Sequence, residues 1–387
     1  GQSKVAQAQV TTPRQFALQG FNTLPIFEKV TKYAVMLDDI ATVKYSMEKA
    51  IHTAKSHPVG PVWIECPIDI QAATFDPDDY DGFSPEEDTS SQIEIKDKFS
   101  LVNEAIRNAK RPCILAGPGV RLAGAVESFN RIVQKLNIPV LTSRLGMDLM
   151  GHHNPLFIGR PGTYGDRPAN FTIQNSDLLL TIGCRLSIGL IGHDYQDFAP
   201  NAKKIMVDID EKELTKPSVS PDIPVQADAK DFIEALDTEL DDFRFSNGDW
   251  LEKTKAWKSK YPVNLPEYKN EKEGINSYHF INVLSEKSSD DDVFLLDTGS
   301  CFHVHSQAFK VKYGQRHIIT GGLSTMGYMP GVIGPAVLRK EKDVYCITGD
   351  GSLQMNIQEL QTIATNNLPV KIVVLNNNGY LLIRLTQ

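Results

Sequence analysis

The sequence has no apolar run of membrane-spanning length, and no secretory signal stands at its start. These absences argue against a membrane-embedded or exported chain and set a cytoplasmic expectation. Cysteine is scarce. The five residues Cys66, Cys113, Cys184, Cys301 and Cys346 are scattered, odd in number and mostly inside apolar strand-like runs. That excludes a disulfide or zinc framework and reads as reduced core thiols. Basic residues do not predominate: 40 Lys and Arg face 48 Asp and Glu, a net charge of −8, which argues against nucleic acid as a partner. No G-x-G-x-x-G is complete and no solenoid repeat is evident, so neither a dinucleotide fingerprint nor a repeat array is indicated. No initiator Met stands at Gly1, and Gln387 falls in what should become a further helix. The expectation is an internal fragment, incomplete at both ends.

What is present concentrates near the C-terminus. An apolar strand at 344–348 runs into Gly349-Asp350-Gly351-Ser352. Leu353, Ile357, Leu360, Ile363 and Ala364 then recur at helical spacing, and Asn366-Asn367 with Pro369 stops that helix. A second buried strand is expected at 370–375, ending in Asn376-Asn377-Asn378-Gly379. Adjacent parallel strands joined by one helix place their ends on one edge of a sheet. A carboxylate, Asp350, and a carboxamide, Asn377, can therefore face one point. Both offer hard oxygens, which suit Mg²⁺ or Ca²⁺ and not zinc. The helix start after Gly351 adds N–H groups that favour phosphate.

The chain exceeds one ordinary domain. Residues 1–75 hold a helix pattern (Ile40, Val43, Met47, Ala50, Ile51) and a strand at 60–67. Residues 76–97 read as an acidic linker. Residues 98–240 alternate strands at 113–116, 139–142, 178–182 and 205–209 with helices, one of them carrying Val126, Phe129, Ile132, Val133 and Leu136 inward. Such alternation argues a parallel sheet. Residues 241–277 form a charged linker with a surface helix at 249–260, and residues 278–387 hold the Asp350 and Asn377 motifs.

The GDG–helix–NN arrangement resembles the diphosphate motif of thiamine-diphosphate enzymes, and the remaining motifs are similar to their acetolactate synthase-like family. Gly60-Pro61-Val62 resembles the end of that family's pyrimidine-binding domain, Gly117-Pro118-Gly119 its middle-domain loop, and Gly321 to Tyr328 the segment that cradles the aminopyrimidine. The resemblance implies an α/β fold of three doubly wound parallel-sheet domains, the first and last incomplete: 1–75, 98–240 and 278–387. It implies Asp350, Asn377 and the Gly379 carbonyl as Mg²⁺ ligands. It implies thiamine diphosphate held by Gly299, Ser300, Gly349, Gly351 and Ser352, with Met326 as the wedge that bends the cofactor and the Ser324 carbonyl accepting from its amino group. Ser324 stands where the family has Gly, and Ser300-Cys301 where it has Gln-His. Arg185 matches an arginine associated with the acceptor's carboxylate. The activating Glu falls upstream of Gly1, so the catalytic residue itself is unknown.

The implied reaction is decarboxylation of a 2-keto acid, with pyruvate the expected donor, and carboligation to an acceptor carbonyl. In such enzymes the thiazolium carbon of the cofactor supplies the carbanion chemistry. Thr386 stands where acetolactate synthases carry a Trp, which implies a larger or more polar acceptor site. The implied assembly is a homodimer or homotetramer acting on small molecules, with no nucleic acid or membrane partner. FAD in the middle domain stays open beside a purely structural role. A simple 2-keto acid decarboxylase or C–C hydrolase on the same scaffold is the alternative reading. A non-catalytic nucleotide-binding module is the alternative of another class.

Overall fold

The computed structural model describes residues 2–3, 18–85, 91–246, 248–339 and 341–386, with the backbone alone at 91–96 and 386. The chain divides into two compact units, residues 1–89 and 90–387.

In the first unit, β1 (Tyr33–Met36) and β2 (Val62–Glu65) pair in parallel, Tyr33 opposite Val62 and Met36 opposite Glu65. The helix Val43–Lys55 joins them. Ser46 and Ala50 face inward, whereas Met47 and Ile51 of the expected stripe are exposed. Two short strands are too narrow a surface to cover the whole stripe.

The second unit is built on two sheets. The larger contains β3 (Pro112–Ala116), β4 (Val140–Thr142), β5 (Phe157–Gly159), β6 (Leu178–Ile182), β7 (Lys203–Asp208) and β8 (Ile223–Gln226) in the order β5-β4-β3-β6-β7-β8. Every pairing in it is parallel. The helix Val126–Leu136 buries Phe129, Ile132, Val133 and Leu136, the expected inward face. The smaller sheet contains β9 (Val293–Leu296), β10 (Arg316–Ile319), β11 (Val344–Gly349) and β12 (Val370–Leu375) in the order β10-β9-β11-β12, again all parallel. The fold is α/β with parallel-only sheets.

Buried polar ties join the two sheets. Asp148, from the loop after β4, accepts from Arg121 Nε at 3.2 Å and from the His317 backbone N–H at 2.9 Å, and it pairs with Arg316. Arg160, after β5, donates through Nη1 to the Ser306 carbonyl at 3.1 Å. A buried charge keeps such a place only when it is hydrogen-bonded, so each tie fixes one sheet's loops against the other's.

The expected surface helix at 249–260 is present as Gly248–Lys260, exposed along one face and packed on the other through Trp250, Leu251 and Thr254, with Trp250 Nε1 donating to the Pro112 carbonyl at 2.9 Å. Two expectations need correction. β12 is not a buried strand but an edge strand among the described residues, with Lys371 and Val374 exposed. The single helix expected after Ser352 is three pieces: Asp350–Leu353, a 3₁₀ turn Gln354–Asn356, and Glu359–Thr365. The break falls where Asn356 Nδ2 turns away to donate to the Gly327 carbonyl at 2.6 Å. The acidic segment 76–97 is entered by the helix Ser91–Asn108.

Candidate active site

β11 and β12 run in register to their ends, Gly349 opposite Leu375. Asp350 and Asn377 therefore leave neighbouring strand tips together. Asp350 Oδ2 accepts the Gly379 backbone N–H at 2.7 Å, which pulls the loop after β12 over the carboxylate. Gly379 has φ +123°, a conformation open to glycine and costly to other residues. Asn377 Oδ1 is buried and has no hydrogen-bond partner. An orphaned carbonyl oxygen in such a place costs about 1–3 kcal/mol unless something outside the chain satisfies it. Among the described residues no group of three or more His, Cys, Asp or Glu could hold a metal. The donors on offer are one carboxylate, one amide oxygen and backbone carbonyls, a hard-oxygen set suited to Mg²⁺ or Ca²⁺.

The loop after β9 forms the opposite wall. Gly299, at φ +88°, precedes the helix Ser300–Ala308. Ser324 lies in the left-handed region at φ +61°, which explains why a glycine suits that position. One buried carboxylate, Asp297, sets these loops. It accepts from Thr298 N–H at 2.8 Å, Tyr328 N–H at 3.2 Å and Thr348 Oγ1 at 3.0 Å. Ser352 Oγ accepts the Gly327 N–H at 2.8 Å, fastening the 324–328 loop to the turn after Asp350.

Gly299, Ser300, Ser324, Met326, Gly349, Asp350, Gly351, Ser352, Asn377 and Gly379 all line one cavity of about 340 Å³. Cys301 also lines it, but its thiol donates to the Asp297 and Thr298 carbonyls, and burial pushes its pKa up to about 12. It is a capped thiol and no nucleophile at neutral pH.

Residues 297–387 match the family profile described as "Thiamine pyrophosphate enzyme, C-terminal TPP binding domain", and residues 100–236 match "Thiamine pyrophosphate enzyme, central domain". The chain belongs to the thiamine pyrophosphate enzymes, on their acetolactate synthase-like branch. It is 32% identical over 385 residues to a probable acetolactate synthase large subunit of Methanococcus aeolicus, covering 93% of this chain and 63% of the relative. It is 30% identical over 374 residues to the acetolactate synthase isozyme 1 large subunit of Escherichia coli K12, covering 96% of this chain and 64% of the relative. The chain thus spans under two thirds of the length of these curated relatives.

Within this thiamine pyrophosphate enzyme, the middle-domain loop does not fit a dinucleotide's pyrophosphate. The Gly117 N–H donates to the Ile182 carbonyl, Gly119 to Gly183 and Val120 to Gly117, and Pro118 has no N–H. A Cβ on Gly117 would lie 2.1 Å from the Gly183 oxygen. These glycines let two strand-end turns meet, and they leave no free donor. Arg185 is not brought together with the others. Its side chain is exposed, lies 3.8 Å from Glu213 and does not line the cavity. The side chain of Thr386 lies outside the described residues.

Sequence reasoning passed over His303 on the cavity wall and Arg144 in contact with it. His303 lines the cavity and is held to a pKa of about 4 by burial and the nearby Arg144. Arg144 Nη1 lies 3.0 Å from His303 Nδ1. No motif marks either residue. Only the packing of the loop after β4 against the helix after β9 brings them together.

Proposed function

We propose that the chain supplies the metal- and diphosphate-holding parts of a thiamine diphosphate- and Mg²⁺-dependent carboligase that decarboxylates a 2-keto acid. Pyruvate is the expected donor. The observation that carries this reading is the buried, unpartnered Asn377 Oδ1 beside Asp350 at two paired strand tips. In this reading Asp350, Asn377 and the Gly379 carbonyl hold Mg²⁺. Gly299, Ser300, Gly349, Gly351 and Ser352 hold the diphosphate. Met326 supports the bend of the cofactor, and the Ser324 carbonyl orients its amino group. Bound there, the cofactor supplies the electron sink for loss of CO₂. The chain's own part is to fix charges and to exclude water with Met326, Leu375 and Leu381. The committed N–H groups of the loop after β3 support the structural role of that loop over FAD binding there.

Residues 1–75 are read as the end of a pyrimidine-binding domain, 98–240 as the central domain and 278–387 as the diphosphate-binding domain. A cytoplasmic homodimer or homotetramer is part of the same proposal. Exposed Val374 on the edge strand β12, and exposed Met355 and Ile357 in the turn after Asp350, support apolar surface that is covered in an assembly.

Calorimetry of cofactor binding with and without Mg²⁺ tests the ligand assignment. Asp350→Ala is expected to weaken Mg²⁺-dependent binding by at least about 100-fold, more than losing an outer partner would. Undiminished binding would refute it. The whole enzyme with pyruvate, Mg²⁺ and cofactor is expected to release CO₂, and no release from any 2-keto acid would remove the reading. Free aldehyde as sole product in the presence of acceptors would favour a simple decarboxylase.

A further inference from the structure

His303 lies in the first turn of the helix Ser300–Ala308. Its backbone N–H donates to the Gly299 carbonyl at 3.1 Å, and its carbonyl accepts from Ser306 Oγ at 2.9 Å. The ring packs 4.4 Å from the Tyr164 ring and 5.0 Å from the Phe302 ring. Arg144 lies over both of those rings, at 5.5 and 5.6 Å, and its Nη1 is 3.0 Å from His303 Nδ1. Backbone, two rings and one cation thus hold the imidazole in place. The same cation places its proton. A guanidinium can only donate, so Nδ1 accepts and the proton of the neutral ring sits on Nε2. Burial, and Arg144 as the charged group acting on it, keep the ring neutral.

A ring in this state is no base, because Nδ1 is engaged and Nε2 has no lone pair to offer. It is a donor, as a neutral imidazole is when it polarises a carbonyl. Nε2 has no hydrogen-bond partner among the described residues, and it is not sealed in the interior as Arg144 Nη2 is. His303 and Ser324 both line the 340 Å³ cavity and a neighbouring cavity of about 170 Å³, so the open N–H stands where the two spaces meet. In the reaction proposed above, on which this inference rests, Ser324 faces the reacting end of the cofactor. The carbonyl of the bound 2-keto acid is attacked at that end, and its oxygen gains negative charge. A donor already fixed there stabilises that charge more than it stabilises the ground state. We infer that His303 is a catalytic hydrogen-bond donor, its Nε2–H bonding the reacting carbonyl oxygen of the 2-keto acid, with Arg144 as the positioning residue. The proton stays on Nε2, and no bond of the imidazole is made or broken.

The test uses the whole enzyme with thiamine diphosphate, Mg²⁺ and pyruvate, and follows CO₂ release. In His303→Phe, kcat is expected to fall roughly 100-fold, the scale for loss of one oxyanion donor. The half-saturating pyruvate concentration and the calorimetric affinity for the cofactor should hold within about threefold, the pattern for an interaction made only in the transition state. His303→Gln again joins an acceptor and a donor in one side chain and should recover part of the loss. An unchanged kcat in His303→Phe, or a loss of cofactor affinity as large as the loss of kcat, would overturn the assignment. A readout without turnover is nitrogen NMR of the cofactor-free enzyme labelled at histidine, with the His303 signal identified by its loss in His303→Gln. The neutral ring with its proton on Nε2 is expected even at about pH 5.5, where an ordinary imidazole is mostly protonated. Arg144→Met should bring in the form protonated on Nδ1. A protonated wild-type ring, or a proton on Nδ1, rejects the donor. A wild-type enzyme that releases no CO₂ from any 2-keto acid removes the reaction and this inference together, whereas release that survives His303→Phe undiminished removes this inference alone.

Discussion

His305 and His317 lie side by side in the core of the smaller sheet, Nε2 of one 3.2 Å from Nδ1 of the other. Both are fully buried against Phe294 and Phe309. Burial holds both pKa values well below the ordinary histidine range. The His305–His317 contact and the Arg160, Arg316 and Arg121 charges add to it. The folded state therefore refuses protons that the unfolded chain takes up below about pH 6.5. Stability is expected to be full above that pH and to fall on acidification, by up to about 1.4 kcal/mol per pH unit for each of the two groups. Denaturant midpoints at pH 7.5 and 5.0 check this, and a His305→Phe variant should show the shallower fall. Asn377 has the same character at the site. Its Oδ1 is an isolated cost in the protein alone, and that makes it a functional candidate where an exposed Asn in a loop would not be.

At the scale of elements, the strands were the most legible part. β3, β4, β6, β7, β11 and β12 fall within a residue or two of the apolar runs that announced them. β5 and β8 were not legible. They are three and four residues long, sit at the sheet's two edges, and β8 contains Pro224, which only an edge tolerates well. The helix Gly248–Lys260 was legible as a surface helix, but its packed face was not, because the lysines outweigh Trp250 and Leu251 in the sequence pattern while those two apolar side chains decide its packing. Trp250→Ala removes a buried ring and its hydrogen bond to Pro112, so it is expected to cost about 3–5 kcal/mol, read from urea denaturation. The helix after Asp350 looked continuous from spacing alone. A tertiary bond from Asn356 to the 327 loop interrupts it, and that partner is distant in sequence.

For the molecule as a whole, the division at residues 89 and 90 gives a testable consequence. The second unit contains its own buried clusters in both sheets, the Asp148 and Arg160 ties, and every residue of the candidate cavity. Residues 90–387 produced alone are expected to unfold cooperatively within a few degrees of the longer chain, followed by the fluorescence of Trp250 and Trp257. Early loss of that signal would show that the first unit is needed for the fold. No helix among the described residues is long and apolar enough to cross a membrane.

The sequence by itself determined the parallel α/β class and the meeting of Asp350 with Asn377. Both follow from local order: strand, helix, strand, with polar residues at the strand ends. Tertiary structure alone decided three other matters. Arg185 stays out of the cavity, the Gly117–Gly119 N–H groups are spent on the chain itself, and Arg144 reaches His303 across the gap between two sheets. Those outcomes depend on which distant backbone and charge each group meets when the layers close, and no periodicity along the chain encodes that.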